Sequence, residues 1–187
     1  MKTHRFRAVL ASVVTVAACL LLAAPIAMAD KGGGANKLEG TWVARVVGST
    51  GQWSYVLVPD PSGRRASLAG SIDVGFSVAP LFGPTDRSSM LMANLVMTSS
   101  KGGVFNSVWY GLVELDPPSP VTAEVKWIGV STGTFTFIAP GQIHVVHNFA
   151  FYTPDADVDG DGLPDADAVP AYETQVESID TRLMPPQ

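Results

Sequence analysis

The chain has 187 residues, 12 of them basic and 17 acidic, for a formal net charge of −5, and 47% of its residues are apolar. That length is one ordinary domain with enough material for a hydrophobic core. The basic residues form no patch or stripe, which argues against a nucleic-acid partner, and the single cysteine excludes an internal disulfide.

The N-terminus reads as a segment set apart from the fold. Lys2, Arg5 and Arg7 precede a long apolar run that ends in Ala27-Met28-Ala29, followed by Asp30. A basic segment, an apolar segment and an A-x-A site together make a secretory signal peptide over residues 1–29. An uncleaved membrane anchor is the alternative, since the run is long enough to span a bilayer, but Pro25 breaks a helix just before the site. Val16-Ala17-Ala18-Cys19 also resembles a bacterial lipobox, although apolar rather than polar residues follow Cys19. The expected location is secreted or periplasmic, with lipid anchoring through Cys19 as the lesser route and no stable membrane insertion after cleavage. Cleavage removes three basic residues, taking the net charge from −5 to −8, and leaves no cysteine.

Residues 30–37, Gly-rich, read as a flexible leader, and residues 38–187 as one β-domain. From Leu38 onward, short runs of β-branched and aromatic residues are separated by Gly, Pro, Asn, Asp and Ser. In chain order the runs are LEGTWVARVV, QWSYVLV, ASLAGSIDVGFSV, RSSMLMANLVMTSS, VFNSVWYGLVEL, VTAEVKWIGVS, TFTFI, QIHVVHNFAFY and YETQVESIDTRL. Gly102-Gly103 is read as a hairpin turn, and Thr132-Gly133 as a break between two strands. Several runs alternate with period two: Ile72, Val74, Phe76 and Val78 share one face, and Val121, Ala123, Val125 and Trp127 share another. One buried and one wet face is the pattern of antiparallel sheet. The expected fold is all-β, a single antiparallel β-barrel or β-sandwich of about eight or nine strands, with little or no helix.

Gly40-Thr41-Trp42, at the start of the first strand, resembles the G-x-W element of the lipocalin-like (calycin) barrels. That resemblance implies a barrel, an arginine of the last strand (Arg182 here) packed over the tryptophan, and a small apolar ligand in the lumen.

The densest signal lies near the C-terminus. DADVDGDGLPDAD, residues 155–167, holds six aspartates in thirteen positions. From Asp157 it matches D-x-D-x-D-G-x-x-D, and so resembles the calcium loops of EF-hands, dockerins and thrombospondin type 3 repeats. A hard cation such as calcium takes six to eight oxygens, and alternate carboxylates on a tightly wound loop supply them from one side. Asp157, Asp159 and Asp161 fall at positions one, three and five, and Gly162 at the sharp turn. Leu163 would offer its carbonyl, with its side chain turned inward, and Asp165 would act directly or through water. Position twelve, a bidentate Glu in EF-hands, is Ala168, so Asp167 or Asp155 would have to substitute. Both flanks read as strand or loop, giving an isolated EF-hand-like loop at 155–168 that joins two strands. Mg²⁺ suits such a loop less well, and six similar carboxylates lack the contrasting environments of an acid–base pair. A disordered acidic linker is the remaining alternative.

His144 and His147, three apart on a strand, point to opposite faces and cannot share a metal. His147 shares its face with Ile143, Val145, Phe149 and Phe151, so in a barrel it points into the lumen. Trp42, Trp53, Trp109 and Trp127, with Tyr55 and Tyr110, are either core or a carbohydrate-binding surface. No G-x-S-x-G elbow or phosphate-cradling loop is present. The leading expectation is an exported, non-enzymatic binding or structural module with calcium as a loop staple. The alternatives are a lipocalin-like barrel carrying a small apolar ligand and a barrel enzyme using His147. A lumen lined by Met90 or Met92, Phe135, Phe137 and His147 would favour the last two; a filled core with exposed Trp53 and Trp109 would favour the first.

Overall fold

Polar and apolar residues alternate along the chain, and the backbone follows that period. In the computed structural model, which describes residues 35–72, 79–114 and 123–183, nine strands form. They are β1 (Gly40–Val46), β2 (Gln52–Pro59), β3 (Arg65–Ser71), β4 (Arg87–Ser88), β5 (Leu91–Ser99), β6 (Gly102–Glu114), β7 (Ala123–Ala139), β8 (Gln142–Tyr152) and β9 (Tyr172–Arg182). Two four-residue helices accompany them, α1 (Ala35–Leu38) and α2 (Ala79–Phe82). The expected signal peptide, Cys19, and Val74, Phe76 and Val78 lie outside the described residues. Residues 35–37, the end of the expected leader, belong to α1, which closes on the buried Leu38.

Each long strand pairs antiparallel with its neighbours in chain order. β6 pairs with both β5 and β7, and β9 pairs back onto β1, so the sheet closes on itself. The result is an eight-stranded up-and-down barrel, with β4 as an extra short strand on the β5 side of β6. The expectation of a barrel or sandwich thus resolves to a barrel, and closure removes the exposed edges that an open sheet would leave. In β2, Trp53, Tyr55 and Leu57 turn inward while Gln52, Ser54 and Val56 face out; in β8, Ile143, Val145, His147, Phe149 and Phe151 turn inward.

Two turns differ from expectation. The β5–β6 turn falls at residues 100–101, and Gly102-Gly103 belong to β6. Thr132-Gly133 is no break, because β7 runs unbroken across it. The reason is an interlock across β6 and β7. Phe105 stands opposite Gly133, Ser107 opposite Ser131, Trp109 opposite Gly129, and Gly111 opposite Trp127. Each large ring lies over the glycine of the other strand. A Cβ on Gly129 would stand 2.6 Å from the Trp109 ring, and one on Gly111 would fall on the Trp127 indole. Glycine here serves close packing rather than a turn.

The two ends of the barrel are closed differently. At one end Trp42 is fully buried and donates from Nε1 to the Leu38 carbonyl at 2.7 Å. Arg182 stands opposite Trp42 in the β1–β9 register and donates from Nη1 to the Glu39 carbonyl at 3.5 Å. The resemblance implied that Trp–Arg neighbourhood. Toward the other end, Trp109, Trp127, Phe149 and Phe151 form an aromatic cluster with edge-on ring contacts of 5.5–6.3 Å between Trp109 or Trp127 and its partners. Beyond it lies the β8–β9 connection, which carries the aspartates.

Candidate functional site

Two polar clusters invite a functional reading, one inside the barrel and one on its rim. Inside, β7, β8, β9 and β2 each direct polar side chains inward at mid-barrel. Ser131 Oγ is 3.4 Å from His147 Nδ1, and His147 Nε2 is 3.2 Å from Ser178 Oγ. Ser178 Oγ donates to Asp180 Oδ1 at 2.6 Å, and Tyr55 OH donates to Asp180 Oδ2 at 2.5 Å. The direction of these bonds fixes the histidine tautomer. Ser178 spends its only proton on Asp180, so it accepts from Nε2–H, and the bare Nδ1 accepts from Ser131. All five residues are buried.

Burial sets their protonation. It pushes His147 down to about 4, so the imidazole is neutral at pH 7. Burial also raises Asp180, against the hydrogen bonds from Ser178 and Tyr55 and the field of His144, which lower it. Tyr55 is held well above its ordinary value by burial, then by the charge of Asp180. Aromatic rings box in His147: Trp53 and Phe105 meet it edge-on at 5.2 and 5.1 Å, and Phe149 stacks on it at 5.2 Å.

A cavity of about 40 Å³ opens beside this chain, lined by Trp53, Phe105, Phe149, His147, Asp180 and further apolar side chains. It has room for a few water-sized groups. Its origin is visible in the interlock: at the one step where serine faces serine, Ser107 against Ser131, neither β6 nor β7 places a ring over the other strand. Ser107 Oγ donates to the Ser131 carbonyl at 3.3 Å.

His147 and Phe135 line this cavity as expected, and Phe137 packs on the core beside them. Met90 and Met92 do not line it: they are 62% and 53% exposed, because the inward residues of β5 are Leu91, Ala93, Leu95 and Met97. Trp53 and Trp109 are not exposed either, since both sit on the inward face of their strands. All four tryptophans are buried, so they offer no open platform to a carbohydrate. His144 lies on the other face and pairs with Glu177 at 2.9 Å.

Sequence reasoning missed Ser131, Ser178 and Asp180 and gave Tyr55 no polar role. In β9 both faces are polar: Glu173, Gln175 and Glu177 alternate with Thr174, Val176, Ser178 and Asp180. Hydropathy alone therefore could not say which set faces in.

On the rim, the loop opens with a 3₁₀ turn, Pro154–Ala156. Gly160 and Gly162 take φ of +77° and +87°, which side-chain-bearing residues rarely adopt. The aspartates fold the loop by accepting backbone N–H groups. Asp157 Oδ2 accepts from Gly162 at 3.0 Å, Asp159 Oδ1 from Asp161 at 3.1 Å, Asp161 Oδ1 from Leu163 at 2.8 Å, and Asp165 Oδ2 from Val158 at 3.1 Å. One carboxylate oxygen each from Asp157, Asp159 and Asp161 lies within 4.8 Å of the others. Asp165 and Asp167 stand outside that trio. Leu163 does not pack inward; its side chain is 45% exposed. The barrel holds the loop through Tyr110, whose OH donates to the Gly162 carbonyl at 2.8 Å. Burial raises the Tyr110 pKa, with Asp157 and Asp161 adding to it.

Fold and lumen together define a closed up-and-down β-barrel with a polar chain in an otherwise apolar interior. No family model matches the chain, and no curated protein matches it. A solved structure of EF1p2_mFAP2b bound to DFHBI is similar over 80% of this chain and 97% of that one, at 14% identity and a TM-score of 0.44.

Proposed function

We propose that this chain is a non-enzymatic binding barrel that holds a small, mainly apolar ligand in its lumen. The observation that carries the reading is the cavity itself: apolar and aromatic walls with a few convergent polar groups, the composition of a ligand site. Its size, about 40 Å³, limits the ligand to a compact molecule unless side chains move. A binding role fits better than catalysis through His147. Ser131 Oγ is the nearest hydroxyl on the open side of the imidazole, at 3.4 Å. The backbone N–H groups around it are engaged in the β7–β8 and β8–β9 ladders, leaving no pair of donors for an oxyanion. Calorimetry with isobutanol tests this, with Ala93→Phe as the control, since Ala93 lines the cavity. Binding to the native chain that Ala93→Phe abolishes is expected; equal heats from both chains would place the alcohol on the surface and refute the reading.

A second reading concerns the rim. The convergence of Asp157, Asp159 and Asp161 within 4.8 Å favours a calcium loop that staples β8 to β9. With Ala168 in place of the twelfth-position Glu, affinity is modest, Kd on the order of 10⁻⁴ M. At about 1 mM calcium that contributes roughly 1.4 kcal/mol, a useful amount for a chain without disulfides. Export, read from residues 1–29, would bring the loop to such calcium levels.

A further inference from the structure

Among the described residues, Asp180 is the one fully buried acidic side chain, 1% exposed, and it lines the cavity. Each of its oxygens accepts one hydrogen bond, from Ser178 and from Tyr55, whereas a carboxylate offers about four acceptor sites. Both donors are neutral. The ion pairs of the described residues join Lys126 to Glu124 and His144 to Glu177, both at the surface. Arg182, two residues on, turns to the Glu39 carbonyl at the Trp42 end, and Lys37 lies over the Phe137 ring at 5.6 Å. His147, which lines the same cavity, is neutral at pH 7. Among the described residues no ion pair reaches Asp180, and beyond its two hydrogen bonds only the field of His144 favours its charge. A buried carboxylate so little compensated is costly, and this one lines open space. The surroundings suit a cation in a second way, because Trp53, Tyr55, Phe105 and Phe149 present π-systems to the same cavity.

We propose that the lumen ligand is a compact protonated amine, with its ammonium beside Asp180 and its hydrocarbon body among Trp53, Phe105 and Phe149. This rests on the reading of the lumen as a ligand site. The ammonium supplies the missing positive charge and donates to the remaining carboxylate lone pairs. A carboxylate-bearing ligand of the same size is repelled by Asp180, and an alcohol gains a hydrogen bond without the charge.

Calorimetry at pH 7 on the full chain with isobutylamine, isobutanol and isobutyrate separates the possibilities, since the three share one shape and differ in charge. The amine is expected to bind at least about tenfold tighter than the alcohol, and isobutyrate not at all. Asp180→Asn is expected to remove the preference for the amine. Should the alcohol or isobutyrate bind as tightly as the amine, the amine assignment falls while the lumen reading stands. Should none of the three bind, both fall. The charge series on the native chain decides the matter even if Asp180→Asn does not fold.

Discussion

The two polar clusters of this barrel are built in opposite ways. On the rim, Asp157, Asp159, Asp161 and Asp165 are held by backbone N–H groups within their own loop, and Asp159 and Asp161 are exposed while Asp157 Oδ1 is buried. In the lumen, Tyr55, Ser131, His147, Ser178 and Asp180 hold one another through side chains, on strands up to 125 residues apart in sequence. The rim cluster is local and wet, so it can be altered at modest cost. The lumen cluster exists only when the barrel is closed, and burial magnifies every change in it.

The largest expected effect therefore lies in the interlock that shapes the lumen. Trp109→Ala removes the ring that fills the space over Gly129 and should cost about 3–5 kcal/mol in chemical denaturation. A loss under about 1 kcal/mol would mean that the cluster is loosely packed.

Acid comes next. His147 has a folded pKa of about 4 against an ordinary 6.5, so below pH 6.5 the unfolded chain binds the proton that the folded chain refuses. Stability attributable to His147 is full above pH 6.5 and falls by roughly 3 kcal/mol on the way to pH 4. Asp180, with a raised pKa, acts in the opposite sense, because the folded chain takes up its proton more readily as the pH falls. The contribution is isolated by comparing melting curves of the native chain and His147→Gln across that range. The native chain should show the steeper acid-side loss; parallel curves would show that His147 is not held neutral by burial.

Rim changes should be smaller. Asp159→Ala/Asp161→Ala should abolish a calcium-dependent gain of roughly 1.4 kcal/mol at about 1 mM calcium, read as a shift in Tm. An equal shift in the double variant would disprove the staple. Tyr110→Phe, which unties the loop from β6, should cost about 1 kcal/mol in the absence of calcium.

The same contrast explains what could be read in advance. β8 was legible because Ile143, Val145, His147, Phe149 and Phe151 fall on one face, which in a barrel puts His147 in the lumen by parity, whereas QWSYVLV was legible as a strand but the side taken by Trp53 was left open. In the aspartate loop the convergence of Asp157, Asp159 and Asp161 was legible because their spacing is local, whereas Asp165 and Asp167 stand outside the trio. Gly133 was misread because a glycine flanked by threonines looks like a turn, and only the register against Phe105 shows it to be packing space. Met92 was misplaced for a different reason. Both faces of MLMANLVM are apolar near its start, and Asn94 alone marks the outward side that Met92 shares. Asp180 was missed because Tyr55 becomes its neighbour only through the fold, and because Ser178, two residues away on β9, lies on a strand whose faces are both polar.

The central claim is that the lumen beside Asp180 and His147 receives a small ligand. Heteronuclear NMR of the native chain, following the His147 imidazole and Trp53 indole nitrogens during titration with isobutylamine, tests it most directly. Saturable shifts of both signals, with the surface imidazole of His144 unmoved, are the predicted result. Shifts confined to His144 and the outer face, or none at either lumen signal, would contradict it.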